Sequence, residues 1–391
     1  MRKGWKYKKL GEVCEVVTGT TPKTNIPEYW GKGHYWVTPA ELNDTTVYID
    51  KTERQITDEA LSKTKLRLLP VGTVLLSSRA PIGKVAIANA EMYCNQGFKN
   101  CICSEAIYNK YLFYFLRLKK DYLNSLGRGA TFKEISKSIV ESIKIPLPPK
   151  STQLAIVSEL DKINELIRLK KEQLKDFDNL AQSLFYEMFG DPVENEKGWE
   201  VKKLDDVCII TSSKRIFADE YTETGIPFYR SKEVIERSKG LPISVELFIS
   251  EERYNEIKEK FGVPKIGDIL ITAVGTIGKI WAIDTDNKFY FKDGNLVWLK
   301  DIDNQLANSC FFRRLLEYLI EEYKKTNANG AAYNALTIAK LKLMSCPLPP
   351  LSLQQLFAQR IEQIEREKSE VQKSIQDLET LLASRMQYWF E

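Results

Sequence analysis

The sequence predicts an α+β protein made of two tandem globules and two long helices that pair as an antiparallel coiled coil. Three observations support this prediction. A proline-rich motif followed by a long stretch without Gly or Pro occurs twice, and apolar residues recur in both stretches at coiled-coil spacing. Shorter motifs ahead of each stretch also occur twice, in the same order. The chain is therefore an internal duplication with expected pseudo-twofold symmetry.

The long helices follow two copies of one hinge, which lie 201 positions apart. The copies are Pro146-Leu147-Pro148-Pro149 and Pro347-Leu348-Pro349-Pro350. Proline cannot continue a strand ladder, so each hinge is expected to end its globule. Ser151 or Thr152 in the first copy, and Ser352 in the second, are predicted N-caps.

The apolar positions of both helices form a seam, interrupted by a few charged residues, in which steps of four and three residues alternate. The principal seam residues are Ile156, Leu160, Ile163, Ile167, Leu174, Phe177 and Leu184 in the first helix, and Phe357, Ile361, Ile364, Val371, Ile375, Leu378, Leu382 and Trp389 in the second. Such a repeat is typical of a coiled-coil packing surface. Contacts with partners are expected instead from the opposite faces and the helix ends: Tyr186, Phe189, Tyr388, Trp389 and Phe390. The cluster at the C-terminal end is expected to dock against the first globule or a partner.

The chain divides into a first globule over 1–150, a central helix over 151–190, a second globule over 191–350 and a C-terminal helix over 351–391. A helix of this length spans roughly 57 Å. If the seams zip together, the second helix runs back antiparallel and the rod holds the globules apart. Alternatively, the globules pack together and the helices splay onto partners.

Motifs inside the globules repeat as well. The repeated pairs are Gly4-Trp5 with Gly198-Trp199, Gly72-Thr73-Val74 with Gly267-Asp268-Ile269, Ile82-Gly83-Lys84 with Ile277-Gly278-Lys279, and Gly129-Ala130-Thr131 with Gly330-Ala331-Ala332. Each motif keeps its place in the order, so the globules are expected to share one framework.

Charge is distributed unequally between the globules. Residues 1–150 carry 24 Lys and Arg against 14 Asp and Glu, whereas residues 191–350 carry 23 against 25. The first globule is thus basic enough to favour a polyanion. The seven cysteines suggest no disulfide framework, which fits a reducing cytoplasm. With His34 as the single histidine, no zinc site is expected, and neither a signal peptide nor a membrane span is predicted.

No motif for catalysis is present in the sequence. A phosphate-binding loop would need glycine where Ser78 and Ala273 stand, and a hydroxyl where Val85 and Ile280 stand. A G-x-G-x-x-G cofactor loop and the motif of amino-methyltransferases are both absent. A catalytic role for this chain alone is therefore not expected.

These repeated motifs resemble the DNA-specificity subunit of type I restriction–modification systems over essentially the whole chain. The resemblance lies in the G-W-x-x-K-K-L opening of each half, the Gly-Lys turn, the Pro-Leu-Pro-Pro-x-x-x-Gln hinge and the segment Ser183–Pro192. It implies two target recognition domains, each reading half of a bipartite site in double-stranded DNA, and a helical rod that sets the gap. It also implies two modification subunits, possibly joined by restriction subunits. S-adenosylmethionine, ATP and Mg would serve those partners, with no cofactor in this chain.

The duplication sorts the candidate DNA-binding residues. Positions that are identical in both halves cannot distinguish two half-sites, so Lys84 and Lys279, each after a Gly turn, are predicted phosphate contacts; the alternative is an ordinary turn lysine. Positions that differ between the halves are predicted to read bases. These are Arg79, which aligns with Val274, Thr38, which aligns with Arg230, and Asn95 and Gln96, which align with Lys292 and Asp293. Further loop candidates are Thr20, Thr21, Lys99, Arg128, Lys214, Arg215 and Lys232.

A second function remains open at this point. The chain could be a coiled-coil scaffold or regulator whose globules bind proteins or other ligands. A self-sufficient nuclease or methyltransferase would need motifs that the sequence lacks. The basic first globule and the duplicated heads favour the DNA-binding interpretation.

Overall fold

The computed structural model describes residues 5–79, 81–128, 133–326 and 335–391. Gly4 and the predicted motifs Gly129-Ala130-Thr131 and Gly330-Ala331-Ala332 lie outside these residues. The chain forms two compact units. Unit 1 comprises 1–172 and 372–391, and unit 2 comprises 173–371, so each unit takes part of both long helices. The functional division into four segments stays a prediction.

The first half of the chain alternates short strands and helices before the first long helix. Its strands are β1 (Lys6–Lys9), β2 (Cys14–Thr18), β3 (Trp30–Val37), β4 (Tyr48–Ile49), β5 (Gln55–Ile56), β6 (Val74–Leu76), β7 (Val85–Ala88), β8 (Tyr93–Cys94), β9 (Lys99–Cys103) and β10 (Lys144–Leu147). Its helices are α1 (Leu10–Val13), α2 (Asp58–Lys63), α3 (Asn109–Leu118), α4 (Lys120–Ser125), α5 (Lys137–Ser142) and α6 (Lys150–Phe189).

The second half has a similar order, with an additional helix between its fourth and fifth strands and a single long helix where the first half has α3 and α4. Its strands are β11 (Glu200–Lys203), β12 (Ile209–Thr211), β13 (Tyr221–Thr222), β14 (Ile226–Tyr229), β15 (Phe248–Ile249), β16 (Ile269–Thr272), β17 (Ile280–Ala282), β18 (Tyr290–Phe291), β19 (Leu296–Lys300) and β20 (Ser345–Leu348). Its helices are α7 (Leu204–Val207), α8 (Ser231–Ser238), α9 (Glu251–Phe261), α10 (Ser309–Thr326), α11 (Ile338–Lys342) and α12 (Leu351–Phe390).

Both units use the same sheet plan. In unit 1 the main sheet has the order β2-β9-β6-β7-β4, and in unit 2 it has the order β12-β19-β16-β17. A second sheet contains the parallel pair β3–β8 in unit 1 and the parallel pair β14–β18 in unit 2. The helix α3 packs on β6 and β7, and α10 packs on β17. The predicted common framework is therefore present.

Each hinge begins inside a strand. Pro146 belongs to β10 and faces Tyr7 of β1, and Pro347 belongs to β20 and faces Val201 of β11. Both sheets have only two strands. Proline is tolerated there because an edge strand has no ladder bond to lose on its outer side. The expectation that proline cannot continue a strand ladder is therefore wrong here, since the first two residues of each hinge, Pro146-Leu147 and Pro347-Leu348, belong to a strand.

The long helices begin before their predicted caps, at Lys150 and Leu351. The Pro149 carbonyl accepts hydrogen bonds from the amides at 152 and 153, at 2.9 and 3.0 Å, and Pro350 does the same in the second helix. The first turns contain the residues predicted as N-caps: Ser151, Thr152 and Ser352. That prediction is wrong, since the hinge proline, with its φ already preset for this position, precedes the first helical residue.

A buried glutamine ties each long helix to its globule. The side chain of Gln153 accepts from the Tyr108 amide at 2.8 Å and donates to the carbonyls of Ala106 and Pro148 at 3.0 and 2.9 Å. Gln354 makes the same three hydrogen bonds in unit 2. Both glutamines are fully buried. These bonds satisfy the buried amide, which is why the hinge motif carries glutamine at this position.

Cysteines contribute to the cores as small apolar residues. Cys101 is fully buried on β9, and Cys103 of the same strand faces Cys14 of β2. Burial helps to raise the pKa of the Cys94 and Cys208 thiols to about 12. Thiols with so high a pKa stay protonated and unreactive.

Candidate nucleic-acid interface

The predicted DNA-binding residues of the first half lie on one set of connected loops. We define the first loop cluster as residues 19–22, 38–42, 77–79, 81–84, 94–99, 127–128 and 133–135. At its centre the Ser78 amide donates to the Gly97 carbonyl at 2.7 Å, and the Ser78 carbonyl accepts from the Ile135 amide at 3.0 Å. The structure brings together all nine predicted residues of this half: Thr20, Thr21, Thr38, Arg79, Lys84, Asn95, Gln96, Lys99 and Arg128.

A carboxylate that the sequence analysis did not single out lies among these cations. Arg79 Nε donates to Glu134 Oε2 at 3.0 Å, and Lys99 Nζ donates to Glu134 Oε1 at 2.9 Å. Lys99 also reaches Ser78 Oγ at 3.3 Å, and only 6% of its side chain is exposed, against 45% for Arg79. Burial raises the pKa of Glu134, but the two cations outweigh it and the pKa is lowered.

This geometry separates the two cations by role. The Lys99 ammonium is directed into the protein, whereas the Arg79 guanidinium stays at the surface. Arg128 is exposed, and its main chain exchanges two hydrogen bonds with Glu134, both at 3.0 Å. Glu134 could have been found from the sequence, because Ala335 stands 201 positions later and the pair differs in charge.

The Gly-Lys turn holds Lys84 against a neighbouring loop. Gly83 has a φ of +89°, a conformation that glycine adopts without strain. The Lys84 amide donates to Ser77 Oγ at 2.9 Å, and its ammonium donates to the Pro39 carbonyl at 3.1 Å. The lysine is half-buried in this position, so its contact with phosphate stays a prediction.

The neutral candidates pair with one another or with nearby loops. The Thr21 hydroxyl donates to the Gln96 side-chain oxygen across two loops. Asn95 Oδ1 accepts from the amide two residues later at 2.9 Å. Thr38 donates to Glu41 Oε2 from its amide and its hydroxyl, which shapes the turn after β3. Base contacts by these residues stay predictions.

Unit 2 has an equivalent second loop cluster, which we define as residues 212–216, 229–233, 272–279, 292–295 and 335–337. Its central residue is Ala273, whose amide donates to the Asn295 carbonyl at 2.8 Å and whose carbonyl accepts from the Leu336 amide at 3.0 Å. These bonds match those of Ser78. The cluster contains all six predicted residues of this half: Lys214, Arg215, Arg230, Lys232, Lys279 and Lys292.

The main chain shows that the positions aligned by sequence are equivalent in space. The Asn95 amide donates to the Val37 carbonyl, and the Lys292 amide donates to the Tyr229 carbonyl. Strand registers agree, because Val37 faces Cys94 and Tyr229 faces Phe291. Thr38 and Arg230, and likewise Asn95 and Lys292, therefore occupy the same places in the two units.

Arg230 is bound to carboxylates through two of its three guanidinium nitrogens. Its Nε and Nη2 both bond the buried Glu233, at 3.4 and 2.9 Å, and Nη2 also donates to Glu246 at 2.8 Å. Lys232 bonds the same Glu246 at 2.7 Å. Lys232 and then Arg230 lower the pKa of Glu246 to about 2. This set orders the start of α8.

Arg215 is held in a more open way. Its Nε donates to Asp293 Oδ2 at 2.8 Å, and 67% of the arginine side chain is exposed against 17% of the aspartate. The Lys214 ammonium lies 4.2 Å from the centroid of the Phe261 ring. The turn that contains Lys279 copies the first, since Gly278 has a φ of +79° and the Lys279 amide donates to a hydroxyl at residue 272.

The predicted seam is packed in both units. Unit 1 contains Ile156, Leu160, Ile163, Ile167 and Ile375, all buried, with half-buried Leu378, Leu382 and Trp389. Unit 2 contains Phe357, Ile361, Ile364 and Val371, all buried, with half-buried Leu174, Phe177 and Leu184. Within unit 1, Glu159 pairs with Arg385 and Lys171 with Glu379. From the first pair to the second, the residue number increases in α6 and decreases in α12, so these helix segments are antiparallel.

The aromatic helix ends pack inside the units. The Phe390 ring lies 5.0 Å from Tyr111 in unit 1, and the Phe189 ring lies 4.8 Å from Phe311 in unit 2. Both phenylalanines are 3% exposed. Phe390 thus docks against the first globule, one of the two predicted alternatives. The expectation of partner contacts is wrong for both phenylalanines, whereas Tyr186 and Tyr388 are exposed.

The part of the chain that the structure describes contains neither a metal-binding cluster nor a membrane-spanning helix. No group of three or more His, Cys, Asp or Glu residues there could hold a metal ion. His34 Nε2 lies 2.7 Å from Asp58 Oδ1 at the surface. None of the described helices is long and apolar enough to cross a membrane.

Comparison with known proteins identifies the duplicated framework. The family model for the type I restriction modification DNA specificity domain matches residues 2–176 and again 196–380. The chain is 33% identical over 377 residues to the type I restriction enzyme MjaIX specificity subunit of Methanocaldococcus jannaschii, covering 91% of this chain and 85% of the relative. It is 25% identical to the MjaVIII specificity subunit of the same organism, over 97% and 92% of the two chains.

A solved structure shows the same fold. It comes from work on complex assembly and conformational transition of the type I R-M system. It matches with a TM-score of 0.68 and 22% identity, over 99% of this chain and 97% of the other.

Proposed function

The chain belongs to the type I restriction–modification specificity-subunit family, and we propose that its two loop clusters each read one half of a bipartite DNA site. Members of this family recognise DNA and are non-catalytic, so methylation and cleavage belong to modification and restriction subunits. S-adenosylmethionine, ATP and Mg would be used by those partners. Two modification subunits per chain and a cytoplasmic location complete the proposal.

One observation carries the proposal: the two clusters share a main-chain framework and differ in the side chains that it presents. The Ser78 and Ala273 hydrogen bonds match. In contrast, the position of Arg79 in unit 1 is occupied by Val274 in unit 2, and that of Thr38 by Arg230. Sequence is read by side chains at base edges, while shared contacts to phosphate only position the protein. One framework with two sets of side chains therefore suits two different half-sites.

The long helices supply the spacing in this proposal. Each is 40 residues long. Their antiparallel segments pack through the buried seam, so a fixed helix length would define a fixed gap between half-sites. Inserting one heptad into each helix at the unit boundary, near residues 172 and 371, adds about 10 Å. We expect the recognised gap to grow by about three base pairs. An unchanged gap would show that the helices do not set the spacing.

The direct test is co-expression with a modification subunit, followed by mapping of methylated adenines across the host genome. The expected result is a single motif of two short half-sites around a fixed gap. A soluble complex that methylates nothing would contradict the proposal. A chain that forms no complex with the subunit would favour the coiled-coil scaffold instead.

A further inference from the structure

Two arginines, one in each loop cluster, are held in the same way. Arg79 Nε bonds Glu134 at 3.0 Å, and Arg215 Nε bonds Asp293 at 2.8 Å. Among the described residues, no hydrogen bond engages the Nη nitrogens of either arginine. Each guanidinium is thus held at Nε alone, in a side chain that is 45% exposed for Arg79 and 67% exposed for Arg215.

Arg230 does not share this arrangement. Glu233 occupies its Nε and Nη2, and Glu246 accepts a second bond from Nη2. A guanidinium needs two adjacent N–H groups to grip a base in a bidentate way. In Arg230 the Nη2 group already donates to two carboxylates, so it is not available for such a pair. In Arg79 and Arg215 the bond to the carboxylate uses Nε only.

The first held arginine belongs to a cross-loop pair that we call pair A. In unit 1 pair A is Arg79 with Glu134, and in unit 2 the equivalent positions are Val274 and Ala335. The equivalence follows from the central residues of the clusters, Ser78 and Ala273. Each precedes the first member of its pair, and its carbonyl accepts a hydrogen bond from the residue that follows the second member. Pair A is charged in unit 1 and apolar in unit 2.

The second held arginine belongs to another cross-loop pair, which we call pair B. In unit 2 pair B is Arg215 with Asp293, and in unit 1 it is Thr21 with Gln96. Arg215 lies four residues after Thr211 of β12, and Thr21 lies four residues after Val17 of β2. Thr211 and Val17 hold the same register position in their sheets. Pair B is therefore charged in unit 2 and neutral in unit 1, the reverse of pair A.

We propose that Arg79 and Arg215 each read a guanine, that Glu134 and Asp293 are their positioning residues, and that the guanines fall at different places within the two half-sites. The proposal rests on the proposed function and names its specificity residues. Arginine binds guanine O6 and N7 with two parallel hydrogen bonds in the major groove. A guanidinium already held at Nε loses less side-chain freedom on binding.

The arrangement also limits repulsion between the carboxylates and DNA. Glu134 is paired with Lys99 as well as Arg79, and Asp293 is mostly buried. A carboxylate in such a pair presents little free negative charge to phosphate. The outer, solvent-facing group in each case is the cation.

The test uses the complex of the full chain with its modification subunit. DNA duplexes with a randomised region are selected for binding, and base preference and affinity are measured for the wild type and its variants. Arg79→Ala is expected to reduce the preference for one guanine in one half-site by roughly tenfold to a hundredfold. Arg215→Ala is expected to do the same in the other half-site only. Arg67→Ala and Lys265→Ala, which break exposed ion pairs outside the clusters, should change neither preference.

The positioning role needs a separate measurement. Glu134→Gln and Asp293→Asn should weaken the same two preferences by roughly threefold to tenfold, within the range for one hydrogen bond. Affinity for unrelated DNA should not fall, because the arginine charge is retained and a negative charge is removed. Asp293→Asn keeps this test valid if Glu134→Gln unfolds unit 1, since Asp293 has no buried lysine partner among the described residues.

Different results would overturn different claims. A wild-type complex that selects no bipartite motif contradicts the proposed function itself. A normal wild-type motif that survives Arg79→Ala and Arg215→Ala overturns the inference alone, and so does an equal loss of affinity for every sequence. Full preference in both Glu134→Gln and Asp293→Asn overturns the positioning role.

Discussion

The two loop clusters share their main-chain hydrogen bonds and differ in the side chains around them. Ser78 and Ala273 make the same main-chain hydrogen bonds, and Gln153 and Gln354 make the same contacts in the first turn of the two long helices. Around them, unit 1 buries Lys99 beside Glu134, whereas unit 2 has Val297 and Ala335 in these places. A duplicated framework can therefore change its polar chemistry at a few positions while its main-chain hydrogen bonds stay the same.

The largest expected effects concern what the units share, the aromatic helix ends. Phe189→Ala should destabilise unit 2, and Phe390→Ala unit 1, each by about 3–5 kcal/mol, because a buried ring is lost and a cavity remains. Hydrogen exchange resolved by segment is the suitable measurement for a chain of two units. Leu180→Ala and Leu381→Ala are matched controls, since both leucines are exposed and also lie 201 positions apart. A loss of protection spread equally over both units would contradict the assignment.

The next effect tests what the units do not share. Glu134→Ala leaves the Lys99 ammonium buried without its counter-charge and should cost unit 1 about 2–3 kcal/mol. The cost is moderate because 33% of the Glu134 side chain is exposed and water screens the charges. The double variant Lys99→Val, Glu134→Ala copies unit 2 and should recover most of the loss. Urea unfolding followed by exchange in β6 and β9 would measure both, with Glu15→Ala as an exposed control.

If the double variant is no more stable than Glu134→Ala, the buried charge is not the cause of the loss. The comparison between the units would then have to be explained by packing. If the double variant instead restores the stability of unit 1, the apolar combination found at Val297 and Ala335 can replace the charged pair of Lys99 and Glu134.

A smaller and equal effect is expected at the glutamines. Gln153→Ala and Gln354→Ala each remove hydrogen bonds from a half-buried main-chain amide and two carbonyls, at a cost of about 2 kcal/mol. The contacts match, so the two values should agree within about 0.5 kcal/mol. Gln355→Ala, at the exposed neighbour, should have little effect. Unequal losses in exchange protection near residues 106–108 and 306–308 would show that the two anchors are not equivalent.

The sequence was most informative where structure follows from periodicity and duplication. The fold class, the seam and the equivalence of Thr38 with Arg230 all come from spacing along the chain. The sequence does not show which cation is buried, because Lys99 and Arg79 are both basic residues and only tertiary packing directs one of them inward. It also misplaced Phe189 and Phe390, since a helix end is aromatic whether it meets a partner or its own globule. Glu134 was not predicted, because cationic and neutral polar side chains are the ones expected to contact DNA.

The smallest expected effect is a difference in acid response between the units. The pKa of Glu134 is lowered in the folded state, so its stabilising contribution is present above the ordinary glutamate value of about 4.3 and is lost as pH falls through the lowered value. Burial raises the pKa of Asp268 in unit 2, although the Trp298 indole donates to it at 2.9 Å. Its contribution is fully present below about 3.9 and is lost as pH rises through the raised value. Mild acid should therefore favour unit 2 before it weakens unit 1. Exchange protection measured against pH should lose this trend in unit 1 with Glu134→Gln and in unit 2 with Asp268→Asn, and parallel acid profiles in the wild type would contradict it.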